Sequence, residues 1–199
     1  YSLYSDKSNN GEKFTLVYMG KAGTWYLLDE MLDFFYIMSA LIPHSQFSFL
    51  TESETASIYS GAMKKGIDGS KINITKAETS EVPGLLSIAN AGILFISPYK
   101  RYNSSPIKFG EYLASGLPVI VNAGIGDCDE IILKEKVGVI IDEFSTAEYE
   151  RAINELKGLL CEGNRLRERC RRAAEKYCSL EMGVDRYWEI YRKLKKELH

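Results

Sequence analysis

Six short, near-continuously apolar runs recur along the chain, at 14–19, 46–50, 71–75, 92–96, 118–122 and 137–141. Between them lie longer segments, 28–41, 55–65, 83–90, 106–114 and 128–134, whose apolar residues fall at helical spacing. A strand without a polar face has to be covered on both sides, which a parallel sheet flanked by helices achieves. Strand–helix alternation repeated about six times therefore predicts an α/β fold. The expected form is a Rossmann-like parallel sheet of about six strands, with helices on both faces and right-handed crossovers. After residue 142 the pattern changes, and 146–160, 164–177 and 180–198 form a C-terminal helical tail with no further strand. Gly158, Gly163 and Gly183 mark its breaks or caps.

Charge and composition exclude several classes. With 25 Lys+Arg against 27 Asp+Glu the net charge is −2, so there is no excess of cations to neutralise a nucleic-acid backbone. The tail from residue 145 is mildly basic, with 13 Lys+Arg against 10 Asp+Glu, as solvated helix faces usually are. The apolar run 34–42 is too short for a membrane span and is interrupted by Ser39. Residues 1–13 are polar, lack the apolar centre of a signal peptide and lack an initiator Met, so they are expected to be a linker cut from a longer protein. Leu198-His199 resembles the remnant of a purification tag and is left out of any chemistry. Cys128, Cys161, Cys170 and Cys178 show no Cys-x-x-Cys spacing and lie far in sequence from His44 and His199. They are expected to be reduced thiols of a cytoplasmic protein, with no metal site.

The stretch from Ser97 to Ile120 carries the most chemistry. A strand ends near Ile96, a polar loop follows, and Ser105 suits a helix N-cap with Pro106 at the first helical position. Gly116 fits the left-handed position after the helix, and Pro118 opens the next strand. In such sheets ligands bind beyond the C-terminal strand ends, where helix N-termini present free amides and a positive dipole end. Lys108 adds a full positive charge in the first turn, and Glu111 lies on the same face at i, i+3. Amides plus Lys suit a diphosphate, and a nearby carboxylate suits the vicinal hydroxyls of a ribose. A capped helix with a surface Lys–Glu pair accounts for the same spacing, which leaves both readings open.

The segment Lys108-Phe109-Gly110-Glu111-Tyr112-Leu113-Ala114-Ser115-Gly116-Leu117-Pro118-Val119-Ile120, with Ser105 to Ile107 before it, resembles the donor-site segment of bacterial family-4-type glycosyltransferases. Those enzymes have two Rossmann-like domains, the GT-B fold, of which the C-terminal one binds the sugar nucleotide. Val17-Tyr18-Met19-Gly20 is similar to that domain's first strand and glycine turn, and Glu81 to Gly92 to the helix before its fourth strand. Gly124-Ile125-Gly126-Asp127, with Glu130 and Gly138, resembles the segment downstream, so the likeness covers about residues 14–145. It implies that Glu111, the second Glu of a Glu-x7-Glu spacing, holds ribose hydroxyls. It also implies that Ser104, Ser105, Pro106 and Ile107 form the loop and helix start whose amides face the diphosphate, that Gly20 and Lys21 form the first phosphate turn, and that Lys76 and Ala77 hold the nucleobase through their backbone. Lys108 and Glu111 are thereby the expected catalytic pair. Two departures stand out. Asn103 occupies the place of the first Glu, which contacts the transferred sugar in the family, and Lys21 is followed by Ala-Gly-Thr-Trp-Tyr where many members carry a second cation.

The resemblance therefore implies a donor half, residues 14–145, with helices 146–199 packed on the same domain. It would transfer a sugar from a UDP- or GDP-sugar, with retention, to a polysaccharide or lipid-linked acceptor. No metal or other cofactor is expected, because fixed cations and a helix dipole stabilise the leaving diphosphate. The expected partners are the nucleotide sugar and an N-terminal acceptor domain of the same protein. That domain would also supply any peripheral contact with the inner face of the cell membrane, and the fragment alone would be inactive. Two alternatives stay open: a nucleotide-sugar 2-epimerase, and a non-catalytic nucleotide-binding module, which Asn103 favours. Asp127-Cys128-Asp129 matches an Asp-x-Asp metal motif but is better explained by acids at a helix start. Lys100-Arg101-Tyr102 is expected to be an exposed loop, Trp25 and Tyr26 to pack at the start of the first helix, and His44 to lie at the surface.

Overall fold

The computed structural model describes residues 13–23, 25–52, 55–97 and 106–197. Six parallel strands form one sheet: β1 (Phe14–Met19), β2 (Ser45–Leu50), β3 (Ile72–Thr75), β4 (Ala91–Leu94), β5 (Val119–Asn122) and β6 (Gly138–Ile141). Their spatial order is β3-β2-β1-β4-β5-β6. β1 pairs with both β2 and β4, so the direction of winding reverses at β1, and the crevice of a doubly wound sheet opens there. The connecting helices are α1 (Leu28–Leu41), α2 (Thr55–Lys64), α3 (Val82–Ser87), α4 (Ile107–Ala114) and α5 (Cys128–Glu135). The tail forms α6 (Thr146–Leu160), α7 (Asn164–Cys178) and α8 (Leu180–Glu197). The Rossmann-like α/β class expected from the alternating pattern is the fold observed.

Burial explains the apolar runs. All six residues of β1 and all four of β4 and β5 are buried, and Phe34 and Phe35 of α1 and Phe47 and Phe49 of β2 have no exposed surface. The rings of Phe47 and Phe49 lie 4.1 Å apart between centroids, and Phe34 meets Phe95 edge-on at 6.1 Å. α6 packs on α1 and β6, whereas α7 packs on α4 and α5. α8 packs against α7 and leaves Leu180, Val184, Tyr187, Trp188, Tyr191 and Leu194 exposed. Among the described residues no helix is long and apolar enough to cross a membrane. Cys128 and Cys170 are buried, Cys161 and Cys178 exposed, and all four thiols are free.

Several boundaries move for local reasons. β3 starts at Ile72, because Gly69–Lys71 is a 3₁₀ turn whose Asp68 carboxylate accepts the Ser70 N–H at 2.9 Å. α3 ends at Ser87, not residue 90, because Asn90 is drawn to β1: its N–H donates to the Thr15 carbonyl at 2.9 Å, and its Oδ1 accepts the Thr15 N–H at 2.7 Å. β4 stops at Leu94, since the next residues turn toward α1, where the Leu27 N–H donates to the Phe95 carbonyl at 3.1 Å. Pro106 is the N-cap of α4 rather than its first helical residue, with φ −74° and ψ 116°. Ser105, the expected cap, lies outside the described residues. Gly116 does take the left-handed conformation expected of it, at φ +78°.

One buried contact ties α4 to the sheet. The Tyr112 hydroxyl accepts the Met19 N–H at 2.8 Å, and its ring lies so close to Gly92 that a Cβ there would sit 2.7 Å from it. Tyr112→Phe keeps the ring but leaves that buried amide unpaired, which costs about 1–3 kcal/mol. Urea unfolding should show that loss of stability, with an unchanged slope.

Candidate functional site

The first strand sets up the site. β1 ends at Met19, and Gly20 turns the chain at φ +103°, with its N–H donating to the Leu50 carbonyl at 2.8 Å. A Cβ at Gly20 would lie 2.6 Å from Lys108 Cε and 2.7 Å from Nζ. The α4 lysine therefore lies directly over the glycine turn at the sheet's reversal point, and only a residue without a side chain admits it. Lys21 follows, exposed to solvent, with Gly23 and Tyr26 closing the loop through a backbone bridge.

Lys108 has an unusual environment for an ammonium. Its Nζ lies 3.3 Å from the centroid of the Tyr26 ring and 5.0 Å from that of Tyr18, and it donates to the Tyr18 hydroxyl at 3.2 Å. The same hydroxyl donates to the Lys21 carbonyl at 2.7 Å, so its lone pair is what faces the ammonium. Burial pushes the Lys108 pKa down to about 8, while the Glu111 carboxylate pulls it back upward. Burial raises the pKa of Tyr18 and of Tyr26, so both phenols are neutral at ordinary pH. The cation thus has aromatic faces and a neutral oxygen around it. None of the ion pairs among the described residues includes Lys108 or Glu111. The surface Lys–Glu pair that the spacing allowed is not formed.

Beside this turn a cavity of about 440 Å³ is lined by Met19, Gly20, Lys21, Leu50, Thr51, Glu52, Ala77 and Val82. It lies where β1, β2 and β3 end. Gly20, Lys21, Ala77 and Lys108 of the sequence-predicted set are thereby gathered in one place, while Lys76 is exposed and outside that lining. Pro106, Ile107 and Glu111 line a separate cleft of about 520 Å³ between α4, α5 and α7, with Asp127, Arg171 and Cys178 among its walls. Asn103, Ser104 and Ser105, like Lys100, Arg101 and Tyr102, lie outside the described residues.

Two groups outside the sequence-predicted site also shape it. Tyr26 was expected to pack at the start of α1, and it does meet Tyr18 edge-on at 5.9 Å, but its face is taken by Lys108. Trp25 beside it is half exposed. Asn122, buried at the end of β5, accepts the Ile96 N–H at 2.8 Å and donates to the Ile96 carbonyl at 3.1 Å. It replaces the ladder partner that β4 loses and fixes where the loop after β4 departs. A polar residue closing a strand that is otherwise Val-Ile-Val was its only trace in the sequence. In the Asp-x-Asp segment, Asp127 occupies the N-cap of α5 without a side-chain cap bond, and Asp129 Oδ2 accepts the Gly124 N–H at 2.8 Å. His44 is exposed in the turn after α1, at φ 64°.

Residues 83–173 match the family model for the glucosyltransferase 3-like C-terminal domain. Among solved structures, WaaG, a glycosyltransferase involved in lipopolysaccharide biosynthesis, superposes with a TM-score of 0.62 at 16% identity, over 83% of this chain and 44% of its own. The C-terminal domain of LpcC from Francisella tularensis, a glycosyl transferase group 1 family protein, gives 0.63 at 15% identity over 88% and 90%. A Staphylococcus aureus TarM variant, solved with fondaparinux, α-GlcNAc-glycerol and UDP, gives 0.71 at 13% over 96% and 38%. This chain therefore spans less than half the length of WaaG and of TarM. No curated protein sequence matches it. The fold is that of the C-terminal domain of GT-B glycosyltransferases, and within it residues 83–173 match the glucosyltransferase 3-like C-terminal domain.

Proposed function

We propose that this chain is the donor-binding half of a glycosyltransferase that takes a sugar from a UDP- or GDP-sugar. The observation that carries the reading is the Lys108 ammonium held over the Gly20 turn, at the reversal point of the sheet and beside a cavity lined by Lys21 and Ala77. A cation partly withdrawn from water, and in none of the ion pairs among the described residues, is suited to a diphosphate, whose charge it meets at low reorganisation cost. In this reading Gly20, Lys21, Lys108, Pro106 and the free Ile107 amide at the start of α4 face the phosphates, Lys76 and Ala77 the base, and Glu111 the ribose. Asn103, Ser104 and Ser105 belong to the same donor segment. Sugar transfer with retention needs an acceptor domain as well. The greater length of WaaG and TarM supports such a partner in the same protein. The fixed cations take the place of a metal, and any membrane contact belongs to the acceptor half.

Calorimetry with UDP and GDP tests the reading. Lys108→Ala should weaken diphosphate binding by ~1.5–3 kcal/mol, the worth of a charge-assisted contact, with the fold intact by circular dichroism. Glu111→Gln keeps shape and one acceptor, so a tenfold loss, ~1.4 kcal/mol, is expected for free nucleotide and sugar nucleotide alike. Normal binding of free nucleotide by Glu111→Gln, with loss only for the sugar nucleotide, would reassign that residue to the sugar.

The pH dependence has a definite sign. Lys108 in the free protein is charged below about 8 and neutral above it, because burial lowers its pKa. Diphosphate affinity should therefore fall as the pH rises through about 8 and go on falling above it. Lys108→Arg, charged throughout, should bind with a flatter profile. Among the described residues Lys108 is faced by Tyr18 and Tyr26, whose phenols burial keeps neutral across this range, and by Glu111 of its own helix, which pulls the Lys108 pKa upward. A parent profile as flat as that of the arginine variant would remove Lys108 from the phosphate contact.

A further inference from the structure

Lys108 and Glu111 stand three residues apart on one helix face, the spacing at which opposite charges pair. They do not pair here. The ammonium instead sits 3.3 Å above the Tyr26 ring, within reach of the Tyr18 hydroxyl, and against the bare backbone of Gly20. Tyr26 is well placed to hold it. Its backbone bridges Gly23 on one side and Ile96 on the other, and Ile96 is in turn fixed by the buried Asn122 amide. The ring itself rests edge-on against Tyr18, whose hydroxyl is tied to the Lys21 carbonyl. A long, flexible side chain is thereby given one position by an aromatic face that is itself held at both ends.

We infer that Tyr26 is a positioning residue, which, together with Tyr18, holds the Lys108 ammonium over the Gly20 turn and away from the Glu111 carboxylate. The consequence for ligand binding rests on the proposed donor site. With the pair kept apart, Lys108 is free for an anion and Glu111 is free for hydroxyl donors. A collapsed Lys108–Glu111 pair would have to be broken before either could serve. The ring face attracts a cation without neutralising it, so a phosphate can approach without displacing a counter-charge. Loss of the face leaves the lysine stem free to swing toward its helical neighbour.

Tyr26→Phe and Tyr26→Leu separate this role from simple packing, because phenylalanine keeps the aromatic face and leucine fills the space without one. Proton NMR of the 199-residue chain gives the first readout. The Lys108 Hε resonances, shifted upfield by the ring, should stay upfield in Tyr26→Phe and return to ordinary lysine positions in Tyr26→Leu. UDP and GDP calorimetry gives the second, with affinity within twofold of the parent for Tyr26→Phe and reduced about three- to tenfold for Tyr26→Leu. In a Lys108→Ala background Tyr26→Leu should cause no additional loss, since the effect runs through the lysine. Unshifted Hε resonances in the parent, a full loss in Tyr26→Phe, or an undiminished loss in the Lys108→Ala background would overturn the inference. If Lys108→Ala itself binds both nucleotides like the parent, the donor-site reading fails, while the NMR comparison still decides whether Tyr26 holds the lysine.

Discussion

The position of everything chemical in this domain depends on one buried contact, the Tyr112 hydroxyl accepting the Met19 amide at the end of β1. Strand ends leave backbone N–H groups without ladder partners, and a buried amide must find another acceptor. Here the acceptor comes from α4, so the same bond that satisfies the strand also fixes the helix relative to it. Gly92 on β4 has no side chain, which lets the Tyr112 ring lie flat on the sheet between two adjacent strands. With Tyr112 anchored, Lys108 one turn earlier is carried over Gly20, and Glu111 beside it faces outward. Three residues of one helix thus divide into an anchor, a cation and a carboxylate.

The cost of holding Lys108 where it is shows why its surroundings are built as they are. Taking an ammonium partly out of water is unfavourable, and the lowered pKa of the group records that penalty. A carboxylate partner would offset it best, yet it would also cancel the charge. Two neutral phenols and a glycine turn offset part of the penalty through ring faces and one hydroxyl lone pair, leaving the charge in place. In the proposed donor site an incoming diphosphate would relieve the remaining penalty. A fully solvated lysine in the same place would gain less from the ligand.

The sheet was legible in the sequence because its cause is local. Runs such as 119–121 and 138–141 carry no polar side chain on either face, and a sheet covered on both sides buries them. The helix α4 was legible from Lys108, Glu111 and the left-handed Gly116 beyond its end. What sequence could not supply were the contacts made by residues far apart. The pull of Thr15 on Asn90 and the hold of Asn122 on Ile96 each join positions widely separated in the chain. Local propensity carries no trace of them, so the ends of α3 and β4 were drawn too long. Tyr26 packs at the start of α1 as expected, but its contact with Lys108 was hidden for the same reason. From its neighbours it is an ordinary aromatic before a helix, and only the folded chain brings Lys108, 82 positions later, across its face.

The glycines show how the same site limits its own variation. Gly20 has a positive φ and a lysine stem where its Cβ would be, so a side chain there would both strain the turn and evict the cation. Gly92 admits Tyr112, and Gly110 on the opposite face of α4 admits Cys178 of α7, where a Cβ would come within 3.0 Å. Helix α4 is therefore gripped between the sheet and α7, with a glycine at each close approach. That grip explains why a helix of only eight residues, too short to be stable alone, can hold charged groups in fixed positions. The tail helix α7 does structural work at a distance from the crevice. By closing the outer face of α4, it fixes the inner face that carries the lysine.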